Sequence, residues 1–253
     1  MRIRITSTTN LIAFLRKLKV VDKSVLLELT EDKLFSKVHT PDKAVMKYAS
    51  VDITSIFDPI EEWPDKGSDR IKIGIMDVGR LIDCFRHFRP EEDIFLELNV
   101  QDVDNESTVT ELKVISASLT IRIKCADLSL LSYVKDEILG VVHSKEGQEA
   151  IFKIYNSDFT AIDSLCGLES NSQELLTFEI YKDHVISAGD SFRYKLNIGK
   201  SDIETDGDLK SSIYKSQMNF VDSESYTIYV HENRMVFFSD QSETSTAIGL
   251  IES

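Results

Sequence analysis

Apolar residues recur along this chain in two rhythms. Over residues 76–89, Val78, Leu81, Ile82 and Phe85 fall at i, i+3, i+4 and i+7, the spacing of a single stripe on an α-helix. Arg80, Asp83 and His87 point away from that stripe, and Arg86 flanks it. Residues 10–20 repeat the layout. Leu11, Leu15 and Leu18 form the stripe, Arg16 and Lys17 turn away from it, and Lys19 lies nearby. Ser7, Thr8, Thr9 and Asn10 offer N-cap side chains just ahead. Each helix therefore has one side built to pack and another carrying positive charge.

The other rhythm is alternation with a period of two, the mark of a strand with one buried face. It predicts strands at 1–6, 24–30, 34–39, 44–52, 70–75, 93–100, 108–116 and 119–125, with a polar loop at 59–69 around Trp63 and an acidic loop at 101–107. Residues 126–148 break the pattern. Leu128, Leu130, Leu131, Tyr133 and Val134 cluster there, and a polar stretch with Gly140 and Gly147 follows, which predicts a surface linker. Beyond it the order begins again: strand 150–155, a helix at 156–168 carrying Phe159, Ile162 and Cys166 on one side, and strands 175–182, 184–188 and 191–199. An acidic loop at 202–208 and a helix at 209–220, with Leu209, Ile213, Ser216 and Phe220 in line, lead to strands 226–231, 234–239 and 244–252. The predicted class is α+β: two similar domains, 1–125 and 149–253, joined by the linker 126–148. Each has two helices on one face of a run of antiparallel strands.

Charge sharpens this picture. Lys plus Arg is 29 against 43 Asp plus Glu, a net charge of −14 over 253 residues. Such a surface repels nucleic acid in general, so any contact with DNA requires a segregated basic face. The helix over 10–20, with three basic residues and no acidic one, is such a face.

Candidate chemistry subtracts rather than adds. Cys84, Cys125 and Cys166 form no C-x-x-C pair and read as unpaired thiols of a reducing compartment. The N-terminal segment has no apolar core of signal-peptide length, and no apolar run reaches the roughly 18 residues of a membrane span. The expected location is cytoplasmic, the host cytoplasm if the protein is viral. The five histidines, His39, His87, His143, His184 and His231, are scattered. There is no HExxH, no glycine-rich phosphate loop and no G-x-S-x-G. Asp202, Glu204, Asp206 and Asp208 alternate like calcium ligands, but Gly207 is misplaced and no glutamate closes the loop. No catalytic residue, metal site or cofactor is expected, and the protein is not read as an enzyme.

Two repeated domains with paired helices and antiparallel strands, a basic helix set, an acidic exterior and a long linker resemble a DNA sliding clamp. The likeness is to the two-domain subunit of proliferating cell nuclear antigen and of the clamps of large tailed bacteriophages. It extends over nearly the whole chain and lies in element order rather than in a short motif. It implies a homotrimeric ring whose helices line a hole around double-stranded DNA, held without regard to sequence, and which tethers DNA polymerase. On this resemblance Arg16, Lys17, Lys19, Arg80, Arg86, Lys210 and Lys215 meet phosphates. Strand 108–116 of one subunit pairs with 191–199 of the next. Leu128, Leu130, Leu131, Tyr133, Leu250 and Ile251 take up short peptides of polymerase and clamp loader. One departure stands out: the helix at 156–168 holds Asp158 and Asp163 and no basic residue. The competing reading is a multimeric β-rich viral structural or assembly protein that encircles nothing.

Overall fold

A computed structural model describes residues 1–60, 63, 69–89, 91–103, 106–166, 175–181, 184–189, 195–203, 208–221 and 224–251. The chain divides into two units. The first comprises Met1–Pro41 and Tyr48–Lys135, the second Asp42–Lys47 and Asp136–Ser253.

The first unit runs β1 (Arg2–Ile5), α1 (Thr8–Lys19), β2 (Val25–Leu29), β3 (Lys33–His39), β4 (Val45–Asp52), β5 (Ile71–Ile75), α2 (Val78–Phe85), β6 (Ile94–Val103), β7 (Glu106–Ile115) and β8 (Thr120–Lys124). The opening of β4, through Lys47, clusters with the second unit. That unit begins with α3 (Asp136–Val142) and continues with β9 (Ala150–Tyr155), α4 (Asn156–Cys166), β10 (Leu175–Tyr181), β11 (His184–Gly189), β12 (Lys195–Lys200) and β13 (Asp208–Tyr214). A 3₁₀ helix (Lys215–Phe220) then leads to β14 (Ser225–His231), β15 (Arg234–Ser239) and β16 (Ser245–Gly249).

With α3 set aside, both units read strand, helix, four strands, helix, three strands, and the pairings repeat as well. In the first unit β1-β6-β7-β8 and β5-β2-β3-β4 are hydrogen-bonded runs, while β9-β14-β15-β16 and β13-β10-β11-β12 are their counterparts in the second. The internal repeat predicted from patterning is thus a repeat of topology.

Burial explains why the helices hold. Leu11, Phe14, Leu15 and Leu18 of α1 are buried, as are Val78, Leu81, Ile82 and Phe85 of α2. At roughly 1.5–3 kcal/mol per buried large side chain, four such residues outweigh any exposed charge, so the apolar stripe fixes which face looks outward. In the second unit Phe152, Ile154, Ile162, Leu176, Phe178, Tyr226, Ile228 and Phe237 make the core.

Four expectations need correction. The predicted helix at 209–220 is β13 followed by the 3₁₀ helix. Leu209 and Ile213 are four apart, a spacing that serves one face of a strand as well as one face of a helix; Leu209 is half-buried, and Ser211 and Ile213 are buried. That small polar residue disguised the alternation. Second, 108–116 is no open edge: Phe95 of β6 and Thr120 of β8 flank Ile115 of β7 on opposite sides. Third, α2 begins only at Val78, because the Asp77 side chain accepts the Arg80 N–H and caps it there. Fourth, the linker carries a 3₁₀ turn at Leu128–Leu130 and the helix α3. The acidic loop at 101–107 is largely the ends of β6 and β7. Much of the loops at 59–69 and 202–208, and the start of strand 191–199, lie outside the described residues.

Candidate nucleic-acid interface

The basic face is assembled in the first unit. Ser7 opens α1, its hydroxyl accepting the Asn10 N–H at 3.2 Å. The helix closes on Arg16, Lys17 and Lys19, with no acid in its first turn; cations there suit the negative end of the helix dipole. α1 packs beside α2. The Lys19 ammonium reaches the first turn of α2, where a Cβ added at Gly79 would stand 3.3 Å from its Nζ. The two helices therefore present one continuous polar surface.

Arg16 and Lys19 are exposed and Lys17 is half-buried. Among the described residues no carboxylate lies within salt-bridge distance of Arg16 or Lys19. The two α2 arginines differ. Arg80 Nε lies 3.6 Å from Asp77 Oδ2, and Arg86 Nη1 lies 3.0 Å from Asp83 Oδ1. His87 is exposed at the end of the same face.

The remaining site residues lie apart. Lys210 is on β13, a strand, and its Nζ is 3.2 Å from Glu179 Oε1 across the β10–β13 ladder. That partner raises the lysine's pKa. Lys215 opens the 3₁₀ helix and is half-buried. In the linker, Leu131 is buried, Leu128 and Tyr133 are half-buried, and Leu130 is 71% exposed. The segment is tied to its unit by Ala126 N–H to Gly74 O, Val134 N–H to Lys37 O, and Ser132 Oγ to His39 Nε2. In the second unit, Leu250 packs against the core and Ile251 is half-buried. The Leu250 and Ile251 N–H groups donate to Asn233 O and Ser212 O, beyond the end of β16.

No protein-family model and no curated protein matches the sequence. Solved structures match it end to end. Proliferating cell nuclear antigen (PCNA) of Entamoeba histolytica aligns over 99% of this chain and 98% of its own, with a TM-score of 0.68 and 11% identity. The structure of the C-terminal region of FEN-1 bound to A. fulgidus PCNA aligns over 100% of both chains, with a TM-score of 0.68 and 17% identity. The H. pylori beta clamp in complex with 5-chloroisatin covers 100% of this chain and 64% of its own, with a TM-score of 0.71 and 13% identity. The chain has the sliding-clamp fold.

Within that clamp fold, sequence reasoning missed which strand ends the first unit as an edge. Among the described strands β8 pairs only with β7. Its signal was available: Thr120, Arg122 and Lys124 alternate as exposed residues, and charged side chains on a terminal strand are a common mark of a sheet edge. The helix stripes of the clamp fold were legible, and so were the cations of α1 and α2. Among the described residues no group of three or more His, Cys, Asp and Glu side chains is placed to hold a metal, and no helix is long and apolar enough to cross a membrane.

Proposed function

We propose that this chain is the subunit of a DNA sliding clamp, a non-catalytic homotrimeric ring that encircles duplex DNA and tethers a DNA polymerase. One observation carries the reading. In a chain of net charge −14 with the clamp fold over its full length, Arg16, Lys17, Lys19, Arg80 and Arg86 gather on the outward side of two adjacent helices. The lysines and arginine of α1 meet phosphates without reading bases, which leaves the ring able to slide. Lys210 takes part only by giving up Glu179.

Ring closure follows from the repeat. In the second unit the 42–47 segment lies beside β16, with Gly249 N–H donating to Ala44 O at 2.9 Å; this is where β4 opens. The counterparts in the repeat are β8 for β16 and β12 for β4. Among the described strands β8 pairs only with β7 and β12 only with β11 along its length. In the proposed ring β12 of one subunit lies along β8 of the next, a heterologous contact that closes on itself and hides both edges.

Partner peptides of polymerase and clamp loader are assigned to Leu128, Leu130, Leu131 and Tyr133 in the linker and to Leu250 and Ile251 in the C-terminal tail. The FEN-1 tail on A. fulgidus PCNA supports uptake of such segments by this fold. Leu130 and Ile251 changed to Ser should abolish peptide binding and leave the trimer intact.

The decisive experiment pairs solution mass with topology. The expected result is a trimer that, once loaded, stays on nicked circular DNA and slides off linear DNA. Reversal of Arg16, Lys17 and Arg80 to Glu should abolish DNA-dependent processivity with the trimer retained. A monomer at high concentration, or equal retention on linear and circular DNA, refutes the reading.

A further inference from the structure

The two units share a topology but not a charge pattern, and the difference narrows to a single helix. In the second unit α4 occupies the place of α1 and contains no lysine or arginine. Its exposed residues, among those described, are Asn156, Ser157, Thr160 and Ser164. Asp158 in its first turn accepts the Tyr155 N–H at 2.9 Å. In the place of α2 stands a 3₁₀ helix with Lys215 as its one cation. In the first unit, α2 offsets its own charge. Arg80 is 3.6 Å from the aspartate three residues before it, and Arg86 is 3.0 Å from its own such aspartate. Among the described helices only α1 carries several cations with no acid of its own.

We propose that α1 is the one element of each subunit that holds the DNA backbone, through Arg16, Lys17 and Lys19, while α2 is charge-balanced and α4, which carries aspartates and no cation, makes no phosphate contact. This rests on the clamp reading above and deepens it. A phosphate approaching Arg80 or Arg86 meets a guanidinium already partly offset by a neighbouring carboxylate, so less net charge is neutralised and fewer counterions are released. A phosphate approaching Arg16 or Lys19 displaces only water and salt. The ring then touches DNA at one patch per subunit, although each subunit contributes two repeats.

The test is the salt dependence of DNA binding by the intact trimer, with trimeric mass checked for every variant. Removing one cation that neutralises a phosphate should flatten the slope of log K against log salt by about 0.9. R16Q/K17Q/K19Q is expected to flatten it by about two or more for each subunit in contact with the DNA. D83N/R86Q, which removes the α2 ion pair as a unit, is expected to leave it unchanged. D83N alone releases Arg86 and is expected to steepen the slope by up to about 0.9 for each subunit in contact with the DNA; this gain remains decisive even if the α1 variant does not assemble. The proposal is overturned if D83N/R86Q flattens the slope as much as the α1 variant, or if D83N leaves it unchanged. A wild-type protein that is not retained on nicked circular DNA overturns the clamp reading instead.

Discussion

Gly74, next to the end of β5, is where the linker is held to the first unit, and the space around it sets the cost of adding one methyl group. A Cβ at this position would stand 2.5 Å from Ala126 O and 3.0 Å from Leu131 Cδ1. The nearer atom belongs to the backbone and has nowhere to go. Ala126 N–H donates to Gly74 O at 2.9 Å, and Cys125 N–H donates to Thr110 O at 3.0 Å. Downstream, Leu131 is buried and Ser132 is held by His39 at 2.9 Å. Gly74→Ala must therefore lift the start of the linker. Overpacking costs about 1–3 kcal/mol and the broken hydrogen bond about 1 kcal/mol, together about 2–4 kcal/mol. At about 2–4 °C per kcal/mol for a chain of this size, Tm should fall by roughly 4–16 °C. Hydrogen exchange at the Ala126 amide should accelerate in step. The sign is informative, because glycine to alanine at an unstrained site stabilises by about 0.4–1 kcal/mol through the unfolded chain. An unchanged or raised Tm, with Ala126 still protected, would refute the close approach and with it the anchoring of the linker.

Three further outcomes are expected. Glu28→Gln removes the carboxylate 2.6 Å from the Lys37 ammonium, on a side chain only 5% exposed. Chemical denaturation should show a loss of about 3–5 kcal/mol, most of it recovered in the E28L/K37M double variant. Burial lowers the pKa of His143, whose ring nitrogens are shielded from water, to about 4. The unfolded chain therefore binds the proton first, so stability should fall as pH drops from about 6.5 to about 4, by about 3 kcal/mol; His143→Leu should flatten that stretch of the pH profile. Burial also pushes the Cys125 thiol up to about 11, so alkylation of the folded protein at pH 8 should spare it and label it only after denaturant is added.

The helices of the first unit were legible because their signal is local. Leu11, Leu15 and Leu18, and Val78, Leu81, Ile82 and Phe85, repeat at a spacing that only a helix puts on one face, and all of them are buried. The second unit was harder to read. Leu209 and Ile213 fit either period, and what decided between them was the partner strand: Ile213 lies opposite Leu176 in the β10–β13 ladder. A seven-residue helix such as α3, with no residue buried, leaves no apolar stripe to find.

By itself the sequence determined the class of the chain, its duplication and the place where positive charge gathers. Periodicity, composition and charge are carried by neighbouring residues and need no distant partner. Tertiary structure decided the rest, because pairing and neutralisation depend on which residues meet across the fold. It placed β8 on β7 and so moved the open edge from 108–116 to Thr120–Lys124. It put Lys210 on a strand beside Glu179, two residues thirty-one positions apart that no helical or strand period relates. It also laid the Lys19 ammonium against the first turn of α2, turning two separate basic helices into one surface.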